Sequence, residues 1–184
     1  MRLFVAIELP EEIKTALTDL QQALRPARAD VAWAKPENLH LTLKFLGETS
    51  SERVAALSLA CVEAAKACPP FTLTTNGSGF FPDERRPRVV WVGLSGAVAH
   101  LEALQQQVEA CLAVQGCSPE IKPFRPHLTL GRCKSPNNIA QLAKHLQNYQ
   151  LPALSFTVSE LVLMQSQLNP AGAIYTPLQR ARLG

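Results

Sequence analysis

Two nine-residue stretches constrain this chain more than anything else in it. Residues 35–43 read KPENLHLTL and residues 122–130 read KPFRPHLTL, identical at six of nine positions at an offset of 87. The segments ahead of them correspond once small gaps are allowed: FVAIEL (4–9) with VVWVGL (89–94), and LTDLQQ (17–22) with LEALQQ (101–106). Self-similarity at a fixed offset is the mark of one supersecondary unit used more than once. Each half runs strand, helix, Lys-Pro linker and a His-Leu-Thr-Leu strand. The expectation is a duplicated fold with a pseudo-twofold arrangement, a single domain over 1–184 with pseudo-repeats of approximately 1–85 and 86–184.

The rest of the chain reads as short strands mixed with helices. Residues 2–8 are a strand, and Pro10 opens a helix whose apolar positions Ile13, Leu17, Leu20 and Leu24 recur at helical spacing. Strands are expected at 31–33, 40–45, 71–75, 88–94, 126–132, near 154–164, and at 173–181. Ser50 or Ser51 can cap a helix to about Ala67, and further helices fit 97–114 and 137–146. Residues 76–87, NGSGFFPDERRP, read as a turn-rich loop. This intermixing predicts an α+β class rather than a regular parallel α/β sheet.

Composition excludes several function classes. Eighteen basic residues against 15 acidic ones give a net charge of +3, too balanced for a disordered charged chain and too mild for a long duplex footprint. No apolar run approaches the roughly 20 residues of a membrane span. The start, MRLFVAIELPEE, has no signal-peptide pattern, so a cytoplasmic location is expected. Five cysteines, with no C-x-x-C pair, write neither a disulfide framework nor a zinc ribbon. They read as structural or incidental thiols.

In a strand, side chains alternate between faces. Leu41 and Leu43 therefore oppose His40 and Thr42, and Leu128 and Leu130 oppose His127 and Thr129. Each repeat buries two leucines and presents an imidazole beside a hydroxyl. If the pseudo-symmetry brings these faces together, a cleft forms with two His and two Thr converging. Two imidazoles suit acid–base displacement at phosphorus: one takes a proton from water while the other donates to the leaving oxygen. Threonine hydroxyls can donate to the non-bridging oxygens, where charge builds. Two histidines are too few ligands for a closed zinc site, and no metal or other cofactor is expected.

These motifs, with RLFVAIELP, HLTLKFLGE, GFFPDERRPRVVWVG, FRPHLTLGR and SELVLMQSQLNPAGAIYTPL around them, make the chain resemble the two-histidine (2H) phosphoesterase superfamily. Within it the resemblance is to the LigT/ThpR-like RNA 2′,3′-cyclic phosphodiesterases, also called 2′-5′ RNA ligases, over nearly the whole chain. The resemblance implies a bilobal fold with two sheets around a central cleft, in which the sequence halves need not equal the lobes. It implies ATP- and metal-independent opening of a terminal 2′,3′-cyclic phosphate on RNA, leaving a 2′-phosphate. His40 would be the proton donor to the departing 3′ oxygen and His127 the acceptor that activates water, with Thr42 and Thr129 holding the phosphate. The near-symmetry of the motifs does not itself decide which histidine is which.

Strand parity also nominates Arg125, which shares the parity of His127, and Lys44, which shares that of His40. Arg132 has the opposite parity. Phe124 is a candidate for stacking on a terminal base, and Arg85, Arg86 and Arg88 sit in the loop where a phosphate backbone could lie. His100 and His145 have no repeated partner, and Trp33 and Trp91 read as packing residues. The expected partner is an RNA end rather than a membrane, met by a monomer. Two other readings share the site: a ligase running the same chemistry in reverse, and a non-catalytic RNA-end binding module.

Overall fold

Residues Leu3 to Ile7 are buried without interruption, which a strand achieves only with a neighbour on each side and cover on both faces. This strand, β1 (Arg2–Glu8), lies inside a four-stranded sheet. Leu3, Val5 and Ile7 enter the main core of 38 buried residues, while Phe4 and Ala6 join Val162 and Met164 in a small cluster on the opposite face. The computed structural model describes all of residues 1–184.

After β1 come α1 (Glu11–Leu24), β2 (Val31–Trp33), β3 (His40–Glu48), α2 (Val54–Lys66), β4 (Phe71–Phe81), β5 (Val89–Gly96) and α3 (Val98–Val114). They are followed by β6 (Leu128–Cys133), α4 (Ile139–Asn148), β7 (Ser155–Val158), β8 (Glu160–Gln167) and β9 (Ile174–Arg182). One sheet has the order β3-β1-β8-β9 and the other β2-β6-β5-β4-β7, all pairs antiparallel. The fold is α+β with two antiparallel sheets. Neither sheet is one half of the sequence: β2 and β4 cross into the five-stranded sheet, and β8 and β9 return to the four-stranded one. No helix is long and apolar enough to cross a membrane.

The two motif strands pair in matching register. Thr42 lies opposite Ala6 and Leu41 opposite Ile7; at the aligned positions Thr129 lies opposite Trp91 and Leu128 opposite Val92. Both ladders then slip at the same place. Val5 pairs with Lys44, skipping Leu43, and Val90 pairs with Gly131, skipping Leu130. An extra residue in one strand is a β-bulge, and it changes which face the following side chains meet.

Each bulge is served by a helix of the other sequence half. The Leu130 carbonyl accepts from Ala34 N and from Nε2 of buried Gln21 on α1, both at 2.8 Å. At the other bulge, Lys44 Nζ donates to Glu109 Oε2 on α3 at 2.7 Å and to the Ser118 carbonyl at 2.9 Å. Glu109 also accepts from Gln105 and from the Glu120 amide. Gln21 and Gln105 are matching positions of the repeat.

Several sequence expectations need correction. The segment near 154–164 is two strands broken at Ser159: β7 edges the five-stranded sheet and β8 runs beside β1 in the other. Residues 76–81 are not loop. β4 continues through them because Gly77, at φ +73, absorbs a bulge between Thr75 and Ser78. β3 likewise passes through Gly47, at φ +69, to Glu48. Ser50 makes no side-chain cap; a 3₁₀ turn at Ser51–Arg53 precedes α2. All five cysteines are free thiols, and burial pushes that of Cys61 up to about 12.

The Lys44 side chain is 3% exposed and that of Glu109 21%. Removing one partner of such a pair strands a charge. Glu109→Leu should cost about 3 kcal/mol in urea unfolding, whereas the Lys44→Met/Glu109→Leu double variant should return to within about 1 kcal/mol of the parent chain.

Candidate active site

His40 is the first residue of β3, and His127 stands one residue ahead of β6. Leu41 and Leu43, and likewise Leu128 and Leu130, are buried in the main core, which turns the imidazoles and threonines to the other face. That face lines a cleft of about 350 Å³ shared by His40, Thr42, His127 and Thr129. The two motifs, 87 residues apart in sequence, meet across it.

Both imidazoles are held alike. Nδ1 of His40 lies 2.7 Å from the Asn38 carbonyl, and Nδ1 of His127 lies 2.6 Å from the Arg125 carbonyl. A carbonyl only accepts, so Nδ1 carries the hydrogen in each ring and donates it. Nε2 is then the atom that exchanges protons. Asn38 and Arg125 occupy matching positions of the repeat, so the same tautomer is fixed twice. Nε2 of His40 is 2.8 Å from Thr42 Oγ1; the hydroxyl donates to the neutral ring and accepts from the imidazolium.

The surroundings break the symmetry. The His40 ring packs on Phe4, centroids 5.0 Å apart, and edge-on to Tyr175 at 5.3 Å. His127 packs edge-on to Phe81 at 4.9 Å, and Phe81 stacks on Trp91 at 5.0 Å. Trp91 can lie there because Gly79 has no side chain: a Cβ on it would come within 2.7 Å of the indole. Burial lowers the pKa of both histidines from the ordinary imidazole value, partly offset by the backbone hydrogen bonds. The Arg132 charge lowers His127 further. A positive neighbour favours the neutral ring at His127.

The secondary candidates fare differently. The Arg125 guanidinium is exposed and absent from the cleft lining; the residue contributes its carbonyl instead. Lys44 does not reach the cleft. The bulge at Leu43 carries it to the α3 side, where it is consumed by the Glu109 pair. Phe124 is half-buried, packs against the main core and does not line the cleft. The amides of Arg85 and Arg86 donate to Asp83 Oδ1, and those side chains and that of Arg88 are exposed outside the cleft lining. His100 and His145 do not line it either.

Arg132, Phe45, Lys35, Trp33 and Tyr175 line the cleft and were not expected there. Arg132 and Phe45 are matching positions of the repeat, each two residues beyond a skipped leucine. Strict alternation puts both on the wrong face, and nothing in the local sequence announces a bulge. Lys35 was visible as the repeated Lys-Pro lysine. Its side chain packs over Gly172 in the β8–β9 loop, which Asn38 Nδ2 also holds through the Ala173 carbonyl at 2.8 Å.

The family model described as "2′-5′ RNA ligase superfamily" matches residues 9–170. An RNA 2′,3′-cyclic phosphodiesterase of Methanothermobacter thermautotrophicus is 36% identical, covering 100% of this chain and 99% of its own. One from Escherichia coli is also 36% identical, over 97% and 94% respectively. Among solved structures, TT0787 of Thermus thermophilus superposes with a TM-score of 0.81 at 32% identity, covering 100% of this chain and 98% of its own. E. coli LigT complexed with 3′-AMP gives 0.78 at 33%, covering 99% and 97%.

NMR titration of the two imidazoles checks the electrostatics. Both should show the Nδ1-H tautomer when neutral and titrate below free imidazole. Arg132→Met should raise the apparent pKa of His127 and leave that of His40 nearly unmoved.

Proposed function

The chain belongs to the 2′-5′ RNA ligase superfamily, and on that footing we propose that it is an RNA 2′,3′-cyclic phosphodiesterase whose base is His127 and whose acid is His40. The observation that carries the reading is the twin tautomer lock. Each Nδ1 is committed to a backbone carbonyl, so two proton-exchanging Nε2 atoms line one cleft.

Water attacks phosphorus as His127 Nε2 takes its proton. The P–O3′ bond breaks as His40 gives its Nε2 proton to O3′, leaving a 2′-phosphate and a 3′-hydroxyl. The turnover ends with His127 charged and His40 neutral, and solvent restores both. Arg132 beside His127 supports this assignment, since its charge, added to burial, favours the neutral form of the ring that must accept a proton. The choice of O3′ as leaving group follows the superfamily resemblance. Thr42 and Thr129 hydroxyls donate to the non-bridging oxygens, and the Arg132 charge opposes the negative charge gathering there.

The cleft volume suits a strand end rather than a duplex, and the mild net charge agrees. Binding of 3′-AMP by a relative supports a nucleotide-sized occupant. The superfamily description also names ligation. A 5′-hydroxyl in place of water, giving its proton to His127 while His40 protonates O3′ as before, would form a 2′-5′ linkage on the same residues; hydrolysis prevails in water.

The test is a short RNA ending in a 2′,3′-cyclic phosphate, incubated with EDTA and no ATP. A 2′-phosphate product is expected, with His40→Ala and His127→Ala each slower by about 10²–10⁴-fold. A folded wild type that binds the RNA but turns over nothing would make it an end-binding module. Loss of activity on chelation would refute the metal-free route.

The pH dependence follows from the same roles. The productive form has His127 neutral and His40 protonated, so kcat/KM should be bell-shaped, its two limbs belonging to the pair. Burial disfavours both imidazolium forms, so both limbs and the optimum should lie on the acid side of 6.5. Arg132→Met should move the acid limb upward.

A further inference from the structure

The chain carries its Lys-Pro lysine twice, at Lys35 and Lys122, and the fold uses the two differently. Lys122 is exposed and lies outside the cleft lining, its amide donating to Glu120. Lys35 lines the catalytic cleft. It stands where the two sheets join. Ala34, just before it, donates to the Leu130 carbonyl on β6, and a 3₁₀ turn at Pro36–Asn38 leads from it through Leu39 to His40. The Asn38 amide closes that turn on the Lys35 carbonyl at 2.9 Å, and the Asn38 carbonyl holds the His40 ring. Lys35 and the proposed acid therefore share one short, fixed frame.

The lysine side chain is held as well. It lies against Gly172 in the β8–β9 loop, where a Cβ would stand 3.3 Å from Lys35 Cε and 3.6 Å from Nζ, and where φ is +115. That loop is braced in turn: the Ala171 amide donates to Asn169 Oδ1 at 2.7 Å, and Asn38 Nδ2 to the Ala173 carbonyl at 2.8 Å. Yet the ammonium has no anion. Lys35 is exposed, forms no salt bridge, and no carboxylate lines the cleft. Only Lys35 and Arg132 bring permanent positive charge to it. The two cations serve different places. The Arg132 charge acts on His127, whereas the Lys35 charge shifts neither imidazole. The reacting phosphate already has two histidines, two threonines and Arg132, so Lys35 is left for a second anion. In the mechanism above O3′ departs at His40, so the ribose that carries it lies on the His40 side, where Lys35 also stands. Besides the cyclic phosphate, the one anion on a terminal nucleotide is the phosphodiester at its O5′.

We infer that Lys35 binds the phosphodiester on the 5′ side of the terminal nucleotide, so that the site distinguishes an RNA end from a free nucleoside 2′,3′-cyclic phosphate. A lysine suits this task, since it acts as a point charge on a phosphate and needs no fixed fork geometry. A phosphate contact sets position without reading sequence. The broken symmetry between Lys35 and Lys122 then gives the strand its direction: the chain leaves the cleft past Lys35 and has no matching cation on the other side. This inference rests on the acid and base roles proposed above.

The experiment uses ligands that differ by one phosphate. In the first readout, adenosine 2′,3′-cyclic phosphate is compared with the same nucleotide carrying a 5′-phosphate, which stands for the phosphodiester. The wild type should turn over the second with the lower KM. Lys35→Met should raise that KM roughly fivefold, the scale of one partly solvated ion pair, and the effect should fall on KM rather than kcat. The slope of log kcat/KM against log salt concentration should shrink by about 0.7 for that substrate. Lys35→Arg should keep the preference. In the second readout, adenosine 2′-phosphate and adenosine 2′,5′-bisphosphate are titrated by calorimetry, so that binding is read without turnover. Lys35→Met should weaken the bisphosphate alone. Equal losses for both ligands would assign Lys35 to the reacting phosphate and overturn the inference. No loss for either, or a wild type indifferent to the 5′-phosphate, also overturns it, with the phosphodiesterase reading left intact. A wild type that cleaves neither substrate defeats the phosphodiesterase reading. Calorimetry then decides the subsite: a Lys35-dependent gain from the 5′-phosphate supports it, and the absence of one overturns it.

Discussion

A peptide group displaced from a sheet ladder and buried must find another partner, and this requirement organises the molecule. Both motif strands are bulged two residues past the motif threonine, at Leu43 and Leu130. At Leu130 the displaced carbonyl is satisfied by Ala34 N and by Gln21 from α1; at Leu43 the bulge turns Lys44 toward α3, where Glu109 and the Ser118 carbonyl take up its ammonium. In each case the helix belongs to the opposite half of the chain. The polar side chains at the two bulges thus tie the two halves together behind the cleft. Through Ser118 and Glu120 the second network also holds the segment leading into His127.

The bulges also decide what the site contains. Upstream of them, alternation presents His and Thr from each strand in matching fashion. Downstream, the same local geometry delivers different chemistry, Phe45 on one side and Arg132 on the other. A symmetric frame carrying asymmetric side chains suits the proposed reaction, in which one histidine takes a proton and the other gives one. The two imidazoles share one tautomer, and only that of His127 has a guanidinium charge acting on it.

The aromatic backing of the histidines follows from the strands being longer than their apolar pattern suggests. Phe81 reaches His127 because Gly77 lets β4 run on past Thr75, and Gly79 leaves room for the Trp91 indole on which Phe81 stacks. Phe4 and Tyr175 reach His40 because β1 is interior and β9 returns from the far end of the chain. Segments remote in sequence therefore press on both rings, and their burial holds both imidazoles below their ordinary pKa.

The sequence by itself determined the motif pair and the faces it exposes, since two-residue periodicity and a duplicated nonapeptide are local properties. It also determined the α+β class and most element positions, because apolar spacing and proline punctuation act over a few residues. It did not determine the parity beyond the bulges: Lys44 and Arg132 traded the places that alternation assigned them. The reason is physical. A bulge depends on what a helix from elsewhere offers, a donor for the Leu130 carbonyl or a partner for the redirected Lys44, and nothing near Leu130 or Leu43 reveals that Gln21 or Glu109 is there to do it. The break at Ser159, which sends β7 and β8 to different sheets, was hidden for the same reason. Continuous apolar sequence records that a segment is buried, and only the tertiary structure decides which sheet buries it.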